Sequence, residues 1–389
     1  MARVRFLHVV KDDKFFHPVM NLFSGCEEIE SKCIIYNPTR EAFSFIKEND
    51  GVDVYTKADD FVKRLNLLNY DVLYLHSLQP FFYKFIKDIP KNIILIWWAW
   101  GYDIYGQQIL GLDSFINTNF YGKKTQQLRM HVSLLMRIKR VYAKMILAPQ
   151  FAKGRKQIIS RVDYFQPVCS IDYELMKRYA GLKSKVFYNP GWGNFYTGNE
   201  SVRDLDAGGS ILIGNSAEYV QNHLDIWDCI KKSISPEREI IVPLSYGNKY
   251  YAAQVKRNMS EDNYNFNFLE TFLPGDEYFR IFNRCSYAIF GNIRQHAMGN
   301  IYNALLHGLK VFLYKDSFVY KYLLDIGCVV YSIDDIAKDA FILPLSAKEQ
   351  QQNFEALNKE QRNYRSIGNS VIKEILNIIN NREENGDDC

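Results

Sequence analysis

A chain of 389 residues is too long for one ordinary core and of a size for two α/β domains. Its 47% hydrophobic and 24% charged content excludes a disordered or fibrous protein, and only the acidic stretch 381–389 reads as unfolded. The net charge of +4 is unevenly spread: between Ser114 and Val162 there is no acidic residue but eleven Lys and Arg, a basic face.

The first half alternates short apolar runs with periodic segments, the pattern of a parallel sheet with crossover helices. Strands are predicted at 4–10, 32–35, 72–75, 93–97, 144–147, 164–167 and 185–188, and helices at 18–23, 59–68, 126–142 and 170–179, the last opened by a Ser170 cap. The apolar run 93–100 is under half the length a helix needs to cross a bilayer. The first residues read as a strand and lack the apolar core and cleavage site of a signal peptide, so no export is expected. Asn-Pro-Gly-Trp-Gly at 189–193 and Asp-Ala-Gly-Gly-Ser at 206–210 break all periodicity, which places a linker at 191–209 between domains 1–190 and 210–360.

The second half resumes with strands at 211–213, 239–243, 267–269, 287–290 and 310–314, and helices at 220–233, 250–259, 275–284, 298–307 and 317–324. A last amphipathic helix, 361–380, is long enough to pack back on the first domain. Seven cysteines without a CxxC pair argue against a zinc site or a disulfide framework and fit a reducing compartment.

Doubly wound domains bind ligands where strand carboxyl ends meet helix N-termini, so two Rossmann-like domains facing a cleft are expected to line it with the loops after each strand. In the second domain Gly214-Asn215-Ser216, with His223 beyond it, is placed to hold phosphate oxygens on backbone N–H groups and a hydroxyl. Arg294 and Gln295, followed by Gly299 and Asn300 at a helix start, form a second such loop, and a guanidinium there suits a diphosphate. Ser245 and Tyr246 end another strand and are candidates for the base or ribose. In the first domain His17, His76 and Asp103 stand at strand ends, where a base is needed to take an acceptor hydroxyl proton. Trp98, Trp100, Tyr102 and Tyr105 around Asp103 offer faces for an acceptor sugar. The cations Lys123, Lys124, Arg129, Arg137, Lys139, Arg140 and Lys144, threaded with apolar residues, suit an anionic lipid surface. No nucleic-acid-binding motif accompanies them.

In order along the chain, His8-Val9 with Asp13 and His17, His76, Trp100-Gly101-x-Asp103-x-Tyr105, Gly214-Asn215-Ser216 with His223, Val242-Pro243 with Tyr246, and Arg294-Gln295 with Gly299 and Gly308 resemble the bacterial 4-alpha-L-fucosyltransferase family of TDP-N-acetylfucosamine:lipid II transferases. The resemblance implies a GT-B fold, a dTDP-amino-sugar donor on the second domain, and a polyprenyl-diphosphate-linked saccharide acceptor at the inner leaflet of the cytoplasmic membrane, in surface polysaccharide synthesis. Many GT-B enzymes carry a Glu where this chain has Asn303, and a deoxyribose has one fewer hydroxyl to bind, which favours dTDP over UDP or GDP. With helix N-termini and Arg294 available for the leaving group, neither a cofactor nor a metal is expected. The competing readings are a sugar-nucleotide epimerase or phosphorylase of similar build and a non-catalytic scaffold on the membrane.

Overall fold

The computed structural model describes residues 3–10, 16–23, 25–37, 43, 46–47, 50, 52–78, 82–83, 85–106, 114–116, 118–130, 138, 141–142, 145, 148–189, 202–336 and 340–384. The chain divides into two compact units: Met1–Asn117 with Arg137–Gly193 and Arg362–Cys389, and Thr118–Met136 with Asn194–Gln361.

The first unit is built on seven parallel strands: β1 (Val4–Val10), β2 (Ile29–Tyr36), β3 (Asp53–Tyr55), β4 (Val72–His76), β5 (Ile94–Trp98), β6 (Tyr164–Gln166) and β7 (Lys185–Val186). They lie in the order β3-β2-β1-β4-β5-β6-β7. The runs Val72–His76 and Ile94–Trp98 are buried throughout, as a parallel sheet covered on both faces requires. Helices α1 (Phe16–Met20), α2 (Ala58–Leu67), α3 (Tyr102–Tyr105), α5 (Ala148–Arg161) and α6 (Ser170–Ala180) belong to this unit, α4 (Lys123–Met130) to the other.

The second unit holds six parallel strands: β8 (Ser210–Ile213), β9 (Ile240–Pro243), β10 (Phe266–Leu269), β11 (Cys285–Phe290), β12 (Lys310–Leu313) and β13 (Tyr331–Ser332). Their order is β10-β9-β8-β11-β12-β13. Its helices are α7 (His223–Ile230), α8 (Lys249–Met259), α9 (Gly275–Arg284), α10 (Met298–Leu306) and α11 (Phe318–Asp325). The last helix, α12 (Ala347–Glu384), gives its residues up to Gln361 to the second unit and those from Arg362 to the first. There Val371, Ile372, Ile375, Leu376 and Ile379 join the core of the first sheet.

Three sequence expectations change. Of the strand expected at 144–147, Met145 is the described residue, and it is helical and exposed; the sheet passes from β5 directly to β6. Ser170 is the first residue inside α6, whose cap position is Cys169 with no side-chain cap bond. The basic segment, expected within the first domain, is divided between the two units. Residues 118–136 join the second unit because α4 borrows its N-terminal cap from α7: Asp225 accepts hydrogen bonds from Lys124 N at 2.9 Å, Thr125 N at 3.0 Å and Thr125 Oγ1 at 2.7 Å.

Candidate functional site

In both sheets the strand order reverses between the first strand and the fourth, and the loops at that switch point are where an open α/β sheet binds ligands. In the second unit these loops follow β8 and β11, and they are stitched together by side chains. Asn222, buried and at φ +52°, donates from Nδ2 to Gly291 O at 2.7 Å and Phe120 O at 3.0 Å, while its Oδ1 accepts from Gly122 N at 2.9 Å. Asparagine is one of the few residues that hold this left-handed conformation at little cost. Gln221 Nε2 reaches both Asn215 Oδ1 at 2.5 Å and His296 Nδ1 at 2.8 Å. Asn215 Nδ2 in turn donates to Tyr246 Oη at 2.9 Å, and Ala217 pairs with Gly247, so the loop after β9 joins the group.

Gly214, Asn215, Ser216, His223 and Gln295 thus lie in or beside one cluster, with Ser245 and Tyr246 on its flank. His223 opens α7 and is fully buried; burial pushes its imidazole down to about 3, so it is neutral. Tyr251 Oη accepts from His223 N at 3.0 Å and lies 3.2 Å from Nδ1. The ring nitrogen turned away from Tyr251 is Nε2. That atom has no hydrogen-bond partner in the protein and faces Gly214, where a Cβ would approach it to 2.5 Å. Gly214 itself has φ +69°, so both the turn and the close approach require glycine.

The loop after β11 ends in Ala297, at φ +59°, which offers α10 no side-chain cap. The first N–H groups of α10 are therefore the kind of donors that hold anions. Gly299 is exposed with open space around it, Asn300 is half-buried, and Asn303 donates to Gly299 O at 2.7 Å while its Oδ1 has no partner in the protein. Arg294 is buried, with Nη1 on Gln295 O at 2.9 Å. Its charge opposes the upward push that burial gives the Glu218 carboxyl.

In the first unit the switch point brings His8 of β1 against His76 of β4, Nδ1 to Nε2 at 2.9 Å, both buried. Burial drives both imidazoles down, His8 to about 3, and each neighbour's charge would oppose the other's at His76. His76 Nδ1 and the hydroxyl of Ser77, a non-glycine residue at φ +76°, have no partner in the protein. In the sequence His8 stands out only through the family resemblance and Ser77 only as the neighbour of His76, with no sign that His8 pairs with His76, because a histidine inside an apolar strand carries no local signal.

Asp103 is buried and its carboxylate is committed: Oδ2 accepts from Leu78 N and Trp97 Nε1, both at 2.8 Å, and Oδ1 from Trp100 N at 2.8 Å. Burial raises its pKa while these donors pull it back. This geometry ties the loops after β4 and β5 together. Trp98 and Tyr105, expected to face an acceptor sugar, are each 1% exposed, Trp98 stacked on Trp100 and Tyr105 bonded to Asp172 at 2.6 Å. With no open ring face they pack the core; Trp100 and Tyr102 remain half-buried. His17, on α1, is half exposed with Nε2 3.5 Å from Asp50 Oδ2.

Of the basic residues, Lys123 is exposed, Lys124 pairs with Asp228 at 2.5 Å and Arg129 lies 3.7 Å over the Tyr121 ring. Arg137, Lys139, Arg140 and Lys144 lie outside the described residues. Among the described residues no helix is long and apolar enough to cross a membrane.

Comparison with known proteins bears on the family and the fold. A family model described as 4-alpha-L-fucosyltransferase, glycosyl transferase group 56, matches residues 159–367. Among solved structures, sucrose-phosphate synthase from Thermosynechococcus elongatus is similar at 7% identity and a TM-score of 0.61, over 97% of this chain and 99% of that one. A glycosyltransferase from Rickettsia africae matches at 10% identity and 0.60, over 97% and 99%. The α,α-trehalose 6-phosphate synthase of Burkholderia multivorans matches at 10% identity and 0.59, over 100% and 99%. The fold is GT-B.

Proposed function

Because the chain belongs to the 4-alpha-L-fucosyltransferase family, glycosyl transferase group 56, and is a nucleotide-sugar glycosyltransferase, we propose that it moves an amino-deoxy sugar of the fucosamine type from a dTDP donor to a polyprenyl-diphosphate-linked saccharide in bacterial surface polysaccharide synthesis. The observation that carries the donor side is His223 Nε2, a buried polar atom without a protein partner beside the Gly214 turn, with the uncapped start of α10 and Arg294 in the same group of loops. As the bond from the anomeric carbon to the diphosphate breaks, charge grows on the leaving oxygen, and donors already fixed around it favour that state over the ground state. Asn303 takes the ribose, and no metal is needed.

The acceptor hydroxyl loses its proton to His17, oriented by Asp50 as a histidine base is by a carboxylate. Asp103 and the His8–His76 pair shape the strand ends beneath. A lipid-linked acceptor calls for peripheral attachment at the inner leaflet of the cytoplasmic membrane. Ile138, Val141, Tyr142 and Met145, at helical spacing, are each more than half exposed, a face suited to the acyl boundary.

The test is a thermal-shift competition followed by transfer in excess EDTA. dTDP is expected to raise the melting temperature more than UDP or GDP at equal concentration, and the chelator to leave transfer undiminished. Equal shifts by all three nucleotides would remove the dTDP assignment, and transfer lost to EDTA and restored by Mg²⁺ would contradict metal independence. Replacement of His17 by Gln is expected to cut turnover a hundredfold or more with the dTDP shift retained; unchanged turnover would move the base elsewhere.

A further inference from the structure

At the opposite edge of the first sheet from His76 and Ser77, where β5, β6 and β7 begin with Ile94, Tyr164 and Lys185, there is a cavity of about 1000 Å³. Six cationic side chains line it: Lys91, Arg155, Lys156, Lys183, Lys185 and Arg382. The carboxylate in the lining, Asp163, is engaged, accepting from Leu95 N at 2.8 Å and Arg161 Nη1 at 2.9 Å. Lys185 is neutralised by Glu374 at 2.5 Å, and Arg382 donates to Asn92 O. Lys91, Lys156 and Lys183 are exposed cations on the wall. Ser184, 7% exposed, contributes a hydroxyl that has no partner in the protein. Beside these polar groups the lining includes Ile94, Phe115, Ile159 and Ile378.

A recess that gathers like charges stores repulsion, which a bound anion relieves, and its low-dielectric walls focus the field on whatever enters. An apolar wall next to the cations selects an anion with a hydrocarbon body over a small hydrated ion. We propose that this cavity binds the phosphate headgroup of an anionic phospholipid, with Lys91, Lys156, Lys183 and the Ser184 hydroxyl on the phosphate oxygens and the isoleucines against the glycerol and first methylenes. The inference rests on the membrane attachment proposed above and adds a defined lipid site to it, remote from the strand ends assigned to sugar transfer.

The experiment is calorimetric titration of the full chain with dihexanoyl-phosphatidylglycerol below its micelle threshold. Dihexanoyl-phosphatidylcholine and inorganic phosphate serve as comparisons. Saturable one-to-one binding of the phosphatidylglycerol is expected, with phosphatidylcholine and phosphate at least tenfold weaker. The double variant Lys156→Gln with Lys183→Gln is expected to lose about thirty-fold in affinity, as two cations near an anionic headgroup should contribute together. Lys348→Gln, at an exposed position in the other unit, should bind as the wild type does. Absence of saturable binding, binding retained in the double variant, or phosphate binding as tightly as the lipid would each overturn the assignment. Because the short-chain lipid forms no bilayer and the readout is not turnover, failure here is distinguishable from failure of vesicle association or of glycosyl transfer.

Discussion

Replacing Asp103 by Asn separates two roles that a carboxylate at a strand end can have. Its Oδ2 holds two donors and its Oδ1 one, so the least costly placement of an amide sets its oxygen toward Leu78 N and Trp97 Nε1 and its NH₂ against Trp100 N–H. One charge-assisted bond is lost, about 1.5–3 kcal/mol, and the two that survive become neutral and weaker. Two donors then face each other in a buried site, adding about 1–3 kcal/mol, while removing a desolvated charge returns part of this. The net is a destabilisation of about 3 kcal/mol, or roughly 10 °C in the melting temperature of a unit this size. Urea unfolding followed by tryptophan fluorescence, where Trp97, Trp98 and Trp100 report on the first unit and Trp227 on the second, gives the stability; turnover is read well below the transition. Turnover is expected to fall less than about tenfold. A variant as stable as the wild type that has lost a hundredfold or more in turnover would refute this reasoning and make Asp103 the base.

Gly214→Ala should abolish most of the dTDP-induced thermal shift and lower stability by about 2–3 kcal/mol, since the new methyl meets His223 Nε2 and a left-handed alanine is strained; a shift equal to wild type would place the nucleotide elsewhere. Asn222→Ala should cost about 3–4 kcal/mol from the lost bonds to Phe120, Gly122 and Gly291 and the positive φ, with Asn222→Gly recovering about 1 of it in the same urea assay. Stability should also fall on acidification. His8, His223 and His296 are each held neutral to about 3 by burial, so the unfolded chain binds more protons than the folded one below about pH 6.5, and each costs about 2 kcal/mol by pH 5. Asp172, raised to about 7 by burial, works in the other sense, gaining about 2 kcal/mol between pH 7 and pH 5, which leaves a loss of about 4; a flat stability profile from pH 7 to 5 would sink that bookkeeping.

The strands were readable because a parallel sheet buried on both faces demands unbroken apolar runs, and 72–75, 93–97 and 287–290 have them. The short edge strands β3 and β13 were not, since two or three residues carry no period. Helix α5 was hidden by the apolar run 144–147 read as a strand, although Pro149 stands where a helix start tolerates it. The early start of α12 was legible in principle: Ser346 and Glu349 form a capping box, Ser346 N to Glu349 Oε2 at 2.8 Å and Glu349 N to Ser346 Oγ at 3.3 Å. What no local rule reveals is pairing across the chain. His8 meets His76 across 68 positions, and Asn222 finds its partners around 120 and at 291; such roles appear only when the strand order is known.

The positions of unpaired polar groups then say something the motifs alone do not. A buried donor or acceptor without a partner costs about 1–3 kcal/mol, against a typical whole-domain stability of about 5–15, so a scaffold selected for stability alone would keep few and scatter them. Here Gln221 Oε1, His223 Nε2 and Asn303 Oδ1 sit on the helices and loops that follow β8 and β11, and His76 Nδ1 and Ser77 Oγ at the end of β4. Ser184 Oγ, on the wall of the basic cavity, is at the other edge. Other unpartnered groups, such as Arg64 Nε, Arg161 Nε and Tyr278 Oη, lie elsewhere, but those named above stand where a polar ligand would relieve them, and binding there should stabilise the unit that holds them more than area burial alone provides. A nucleotide that raises only the second transition, and a phospholipid that raises only the first, would follow from that distribution; shifts shared equally between the transitions would mean that the unpaired groups are not where binding acts.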